Sequence, residues 1–193
     1  TAMDISICFA DFPTEAIGDT TKAYRQLGIG YANLGALLMA SGLAYDSEGG
    51  RALAGAITSL MSGITYKRSA ELAGIVGPYA GFAQNAKPHA RVMRKHASAS
   101  SSAKSETTLD RDVWTEANKA WDDRDVWTEA NKAWDACLAT GDKNGWRNAQ
   151  ISVLAPTGTI GLMMDCDTTG IEPDFSLVGE VQEACRWRIY ADR

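Results

Sequence analysis

Apolar positions recur at helical spacing through much of the chain. Residues 33–41 carry Leu34, Leu37, Leu38 and Met39 and stop at Gly42, a short helix closed by a residue that accepts left-handed backbone. A longer helix is predicted over residues 47–76, opened by Asp46-Ser47-Glu48 and ended by Gly77-Pro78. Leu53, Ile57, Leu60, Met61 and Ile64 form its apolar stripe, and Ala52, Ala54 and Ala56 permit close packing. Pro13-Thr14-Glu15 reads as an earlier helix start with Thr14 as N-cap, although Gly18 and the Thr20-Thr21 pair weaken a long helix. After Lys87-Pro88 a basic helix is predicted over residues 89–99, with Arg91, Arg94 and Lys95 on a solvated face.

Two stretches change period. Leu27-Gly28-Ile29-Gly30-Tyr31 alternates large apolar residues with glycine, which suits a buried strand with a close neighbour on its glycine face. Ile151-Ser152-Val153-Leu154 is a short β-prone run. Residues 97–105, ASASSSAKS, have no apolar anchor and are expected to be a mobile connector. Residues 110–122 read DRDVWTEANKAWD, and residues 123–135 repeat them without a change. Solenoid repeats are longer and diverge, so this reads as a recent duplication or a sequence-assembly fault rather than a repeat fold. At ~100° per residue the second copy starts about 220° further round a helix. Trp114 and Trp121 therefore share one stripe, and Trp127 and Trp134 another. Only one copy can pack in a given register. Four segments result: a helix-rich part (1–96), a linker (97–109), the duplication with the β-prone run and its turn (110–178), and a divergent tail (179–193).

Composition narrows the function. Apolar residues make up 45% of the chain, enough for a core. A net charge of −5 argues against a nucleic-acid grip, which needs a basic stripe. No apolar run reaches the ~18–20 residues of a membrane span, and no charged-then-apolar leader is seen, so a cytoplasmic location is expected. Cys8, Cys137, Cys166 and Cys185 form no CxxC and have no metal-site spacing, which points to free thiols in a reducing compartment. His89 and His96 are seven apart and read as surface helix residues rather than ligands. The chain opens on Thr1, with residues that already read as the interior of a fold.

The candidate chemistry follows the second β-prone run. In Ala155-Pro156-Thr157-Gly158-Thr159-Ile160, proline presets φ and the glycine lets backbone approach a ligand. Free N–H groups at Gly158, Thr159 and Ile160, with hydroxyls at Thr157 and Thr159, would cradle a phosphate-sized anion at a helix N-terminus. No GxxxxGK[ST] occurs, so this is not a Walker loop. An ordinary strand-to-helix turn capped by threonines accounts for the same residues equally well.

The longer string APTGTIGLMMDCDTTGIEPDF closely resembles the substrate-phosphate segment of adenosylcobalamin-dependent (class II) ribonucleotide reductases. The run from Thr1 to Gly63 is similar to the same family in the same order. The resemblance implies an α/β fold, in which this chain is a helix-rich part of a ten-stranded α/β barrel with strands near residues 27–31 and 151–154. It implies a ribonucleotide substrate, reduced at the 2′ position by radical chemistry with adenosylcobalamin as cofactor. It also implies a thioredoxin-like protein reductant and a homodimeric parent enzyme. Carried over residue by residue, it assigns substrate phosphate to Pro156, Thr157, Gly158, Thr159 and Ile160. The family's Asn-x-Cys-x-Glu catalytic loop does not occur, so no catalytic residue is assigned, and Cys166, between Asp165 and Asp167, reads as structural. No corrin contact and no metal ligand is assigned, and residues 179–193 have no counterpart. A nucleotide-binding module without redox chemistry and a helical interaction protein are the competing readings.

Overall fold

The computed structural model describes residues 1–106 and 123–174. Its elements are seven helices: α1 (Ala2–Ser6), α2 (Glu15–Tyr24), α3 (Leu34–Ala40), α4 (Glu48–Val76), α5 (Phe82–Glu106), α6 (Asp123–Asn144) and α7 (Gly158–Met163). They divide into two units, one of Thr1–Ile29 with Ala52–Ser152 and one of Gly30–Arg51 with Val153–Arg193.

The α/β barrel class expected from the resemblance is not what the described residues form. They contain no strand and no sheet, only one isolated parallel bridge between Ile29 and Ser152. The two β-prone runs do meet there, with the Leu27 N–H on the Gln150 carbonyl at 2.9 Å and the Ile29 N–H on the Ile151 carbonyl at 2.8 Å. Just beyond, a Cβ on Gly30 would collide with the Val153 carbonyl oxygen. The close approach on the glycine face is present, but the ladder is too short to be a strand. Helical burial carries the fold instead.

In the first unit α2 starts where expected, the Thr14 hydroxyl accepting from the Ile17 N–H at 3.3 Å. The α4 ends also match, with Gly77 at φ +84 donating to the Ala73 carbonyl. Its buried face keeps Leu53 of the expected stripe, leaves Ile57, Leu60 and Met61 half-buried, and otherwise runs along smaller residues. Ala52, Ala56, Tyr66, Ala70 and Ala73 are buried, and Ile64 is exposed. These buried positions, with Ser59 and Gly63 between them, alternate spacings of four and three, so small side chains face the neighbours and let indoles lie close. The expected connector at residues 97–105 is helical instead. It forms the last turns of α5, where Ser100 is buried and accepts from Ser59 while donating to Asn131 of α6 at 3.0 Å. Alanine and lysine favour helix, and the serines find partners on α4 and α6. The helix also begins earlier than expected and takes Pro88 into its interior.

The second copy of the duplication forms the first half of α6. Trp127 and Trp134 are both buried, and Trp134 joins Tyr66, Ala70, Met93, Cys137, Trp146 and Ile151 in the core. The first copy, with Trp114 and Trp121, and the tail at residues 179–193 lie outside the described residues. Contacts at Arg94 with Asp142 and Ser100 with Asn131 run in opposite directions along the two helices, so α5 and α6 pack antiparallel. Arg91, Arg94 and Lys95 are exposed, as a solvated face requires.

A buried polar network closes this unit. Asp4 of α1 accepts from Arg25 Nε at 2.8 Å and from Asn148 Nδ2 at 2.8 Å, with Arg147 Nε at 3.5 Å on its second oxygen. Asn148 also accepts from the Ser69 hydroxyl of α4 and donates to the Arg25 carbonyl. Burial pushes the Asp4 carboxyl up, but hydrogen bonds from Arg25 and Asn148 and the charges of Arg25 and Arg147 outweigh it and hold it below the usual range. Arg25 itself stands in left-handed backbone at φ 50, fixed by this pairing and by its N–H on the Thr21 carbonyl.

Candidate functional site

The second unit presents the turn at residues 155–160. It leads into α7, whose N-cap is Thr157 at φ 53 and ψ 31. Left-handed backbone is costly for a β-branched residue, about 1–3 kcal/mol, and persists only where neighbours hold it. Two bonds do so: the Thr157 hydroxyl accepts from the Gly170 N–H at 2.8 Å, and the Thr157 carbonyl accepts from the Gly161 N–H at 2.6 Å. The sequence marks Gly158 as the residue that lets backbone approach a ligand. The structure places the left-handed backbone one residue earlier and leaves Gly158 in helical backbone with open space around it, no atom lying within 4 Å of where a Cβ would stand.

Pro156, Gly158, Thr159 and Ile160 are exposed, and Thr157 is half-buried. The first amides of α7 thus sit at an open helix end, where intrahelical acceptors do not exist. Of the two hydroxyls, that of Thr157 is engaged with Gly170, while Thr159 is exposed.

A loop behind the turn braces it. Gly170, at φ +49, packs so tightly that a Cβ would stand 2.9 Å from the Pro156 carbonyl oxygen and 3.0 Å from that of Ala155, with Glu172 Oε2 closer still. Thr168 fixes the loop to α3: its N–H donates to Asn33 Oδ1 at 3.0 Å, and its hydroxyl accepts from the Ala36 N–H at 3.2 Å. The Tyr45 hydroxyl donates to the Ile171 carbonyl at 2.6 Å. Glu172 Oε2 is buried with no hydrogen-bond partner. Cys166 is half-buried, its N–H closing the turn after α7 on the Gly161 carbonyl at 3.0 Å.

The family model described as ribonucleotide reductase, barrel domain, matches residues 1–184. The chain belongs to the ribonucleotide reductase family. A vitamin B12-dependent ribonucleotide reductase of Streptantibioticus cattleyicolor is 66% identical over 178 residues, covering 92% of this chain and 28% of the relative. One of Streptomyces avermitilis is 64% identical over 178 residues, with 92% and 17% covered. One of Agrobacterium fabrum is 48% identical over 191 residues, with 91% and 14% covered. The chain therefore spans less than a third of the length of these curated relatives.

Vitamin B12 dependence in those relatives raises the question of a corrin site in this reductase chain. Its first unit has a cleft of about 390 Å³ lined by Tyr24, Tyr66, Tyr79, His89, Met93 and Gln150. That volume suits a small ligand, at the low end of ordinary pockets. His89 is buried, not on the surface as expected, stacked 4.8 Å from Trp146 and packed on Phe82 and Tyr79. Its Nε2 is enclosed and its Nδ1 lies 3.4 Å from the Tyr79 hydroxyl, so neither nitrogen is presented to a macrocycle. No residue of this cleft is assigned to the cofactor. Among them no helix is long and apolar enough to cross a membrane.

Proposed function

We propose that this chain is the substrate-phosphate segment of an adenosylcobalamin-dependent ribonucleotide reductase, which makes 2′-deoxyribonucleotides from ribonucleotides. Pro156 and Thr157 set the turn, and the N–H groups of Gly158, Thr159 and Ile160 receive the phosphate oxygens, with the Thr159 hydroxyl beside them. The observation that carries this reading is the open helix end at Gly158, held by the strained and doubly bonded Thr157. Family membership and the names of the relatives support the reaction class. The thioredoxin-like reductant, the homodimer and the cofactor belong to the whole enzyme in this reading.

The described cysteines are not assigned to the radical or redox steps. Cys137 is fully buried, and burial pushes its thiol up to about 11, away from thiolate chemistry. Cys8 is exposed, with Arg25 Nη2 at 3.6 Å from its sulfur, and belongs to the first unit.

Gly158→Val tests the cradle cleanly, because the space there is open and the fold has room for the side chain. Losing one or two charge-assisted bonds of ~1.5–3 kcal/mol each should weaken ribonucleotide binding by roughly one to four orders of magnitude. The melting midpoint should stay close to that of the parent chain. An unchanged dissociation constant would remove the turn from the account.

A further inference from the structure

The first unit holds a cleft that the phosphate reading does not use. It measures about 390 Å³ and is built by the end of α2, by α4 and α5, and by residues 79 and 149–150. Three tyrosines set its character. Tyr66 and Tyr79 are buried, while Tyr24 is exposed at the rim. The walls are held by bonds to their own backbone surroundings. The Tyr79 N–H donates to the Trp146 carbonyl at 3.1 Å, and the Ala149 N–H donates to the Tyr24 carbonyl at 2.9 Å. The Tyr66 hydroxyl accepts from the Ile151 N–H at 3.3 Å. A lining fixed in this way is formed before a guest arrives, so little ordering opposes binding.

The chemistry of that lining selects the guest. Among the described residues that line it there is no Asp, Glu, Lys or Arg. His89 is only 8% exposed, and desolvation lowers its pKa to about 4, so it is neutral near pH 7. A charged guest would give up its water and meet no counter-charge. A wholly apolar guest would leave polar groups without partners. Asn85 spends its amide N–H on the Gly81 carbonyl at 2.8 Å, which leaves its Oδ1 to accept. Gln150 is exposed and reaches the Ser152 carbonyl only at 3.5 Å, so its amide can turn to a guest. The Tyr66 hydroxyl keeps its own proton to donate. Tyrosine rings, with Met93 and Val92, supply the aromatic and apolar surface.

We propose that this cleft is a binding site for a small, uncharged aromatic molecule with an amide-type edge, an N–H beside a C=O. The ring packs on the tyrosines and Met93, and the polar edge bonds to Asn85, Gln150 and the Tyr66 hydroxyl. The site stands apart from the phosphate turn, which asks for an anion and belongs to the other unit. Indole-3-acetamide and indole-3-acetate serve as probes, since they share a ring system and differ in charge.

The test titrates the full 193-residue chain with each probe, followed by amide proton–nitrogen spectra. Indole-3-acetamide should bind with a dissociation constant on the order of 1 mM and shift Tyr24, Tyr79, Asn85, His89 and Gln150. Indole-3-acetate should bind at least about tenfold more weakly. Tyr24→Ala removes a rim ring and should weaken the amide by about threefold to tenfold. Because Tyr24 also packs on Tyr79, with ring centroids 6.0 Å apart, a second variant leaves every ring in place. Gln150→Lys sets an ammonium at the exposed rim and should reverse the preference, the acetate then binding more tightly than the amide. Equal binding of both probes by the unaltered chain, or shifts confined to other residues, would overturn the proposal. So would no detectable binding of the amide, or a preference that Gln150→Lys fails to reverse.

Discussion

In the unit of Thr1–Ile29 and Ala52–Ser152, the buried charge of Asp4 is answered from Arg25, Asn148 and Arg147. In the unit of Gly30–Arg51 and Val153–Arg193, the buried oxygen of Glu172 meets no donor. The first also buries its aromatics, Trp134 and Trp146 among them. The second leaves Val153, Leu154, Ile160, Leu162, Met163 and Met164 exposed along and beside its turn. Left-handed backbone occurs in both, at Arg25 in one and at Thr157 in the other. At Arg25 it serves a closed network, whereas at Thr157 it aims open amides outward. Buried polar atoms without a partner occur in both units, at His89 Nε2, Trp127 Nε1 and Trp146 Nε1 in the first and at Glu172 Oε2 in the second, so the contrast lies in what the left-handed backbone serves.

If that contrast is right, the largest stability effect comes from the closed network. Asp4→Ala leaves Arg25 buried without its partner and should cost about 3–5 kcal/mol in a urea melt. A loss under about 1 kcal/mol would mean that Arg25 finds water instead. The Asp4 carboxyl is also depressed in the folded chain, so its contribution is present above the ordinary carboxylate pKa, 3.8, and is lost as pH falls through the folded value.

His89 gives the next effect, in the same unit but with the opposite charge logic. Desolvation lowers its pKa from 6.5 to about 4. The unfolded chain takes the proton first, so stability is intact above about 6.5 and drains as pH falls toward 4. The loss should be on the order of 3 kcal/mol at pH 4. Melts from pH 7 to pH 4 should show this slope, and His89→Gln should flatten it. A slope that persists in the variant would place the titration elsewhere.

The smallest effect concerns the duplication. Removing either copy yields the same sequence, and the remaining copy runs straight into Ala136 as the packed copy does now. Trp127 and Trp134 therefore keep their places, and only residues 107–109 remain between α5 and α6. Such a connection is ordinary for antiparallel helices. Shortening it should leave the melting midpoint unchanged or raise stability by up to about 1 kcal/mol. A clear drop would show that both copies are packed.

What could be read from the sequence follows from the range of the forces involved. The Thr14 cap, the end of α4 at Gly77 and the extent of α3 are set by near neighbours, and the pattern displayed them. The expected α4 stripe held at Leu53 and failed at Ile64, because bulky apolar residues were followed whereas the buried face further along is set by indoles from another helix. His89 and Ser100 looked like surface and linker because their partners, Trp146 and Asn131, are remote in sequence. The two runs expected as strands form only one isolated bridge, and neither that pairing nor its end after two hydrogen bonds could be read from local propensity. At the turn, residue types were legible. The left-handed position at Thr157 was not, since it depends on Gly170 folding back to donate to its hydroxyl.

The account stands most directly on the three amides at the head of α7. Assigned amide proton–nitrogen spectra of the full chain, titrated with a ribonucleoside diphosphate, read them one by one. Gly158, Thr159 and Ile160 should shift together and saturate with one dissociation constant, and the shifts at Thr159 and Ile160 should be lost in Gly158→Val. Shifts confined to the Tyr24, Tyr79 and His89 cleft, or none at the turn at saturating nucleotide, would contradict it.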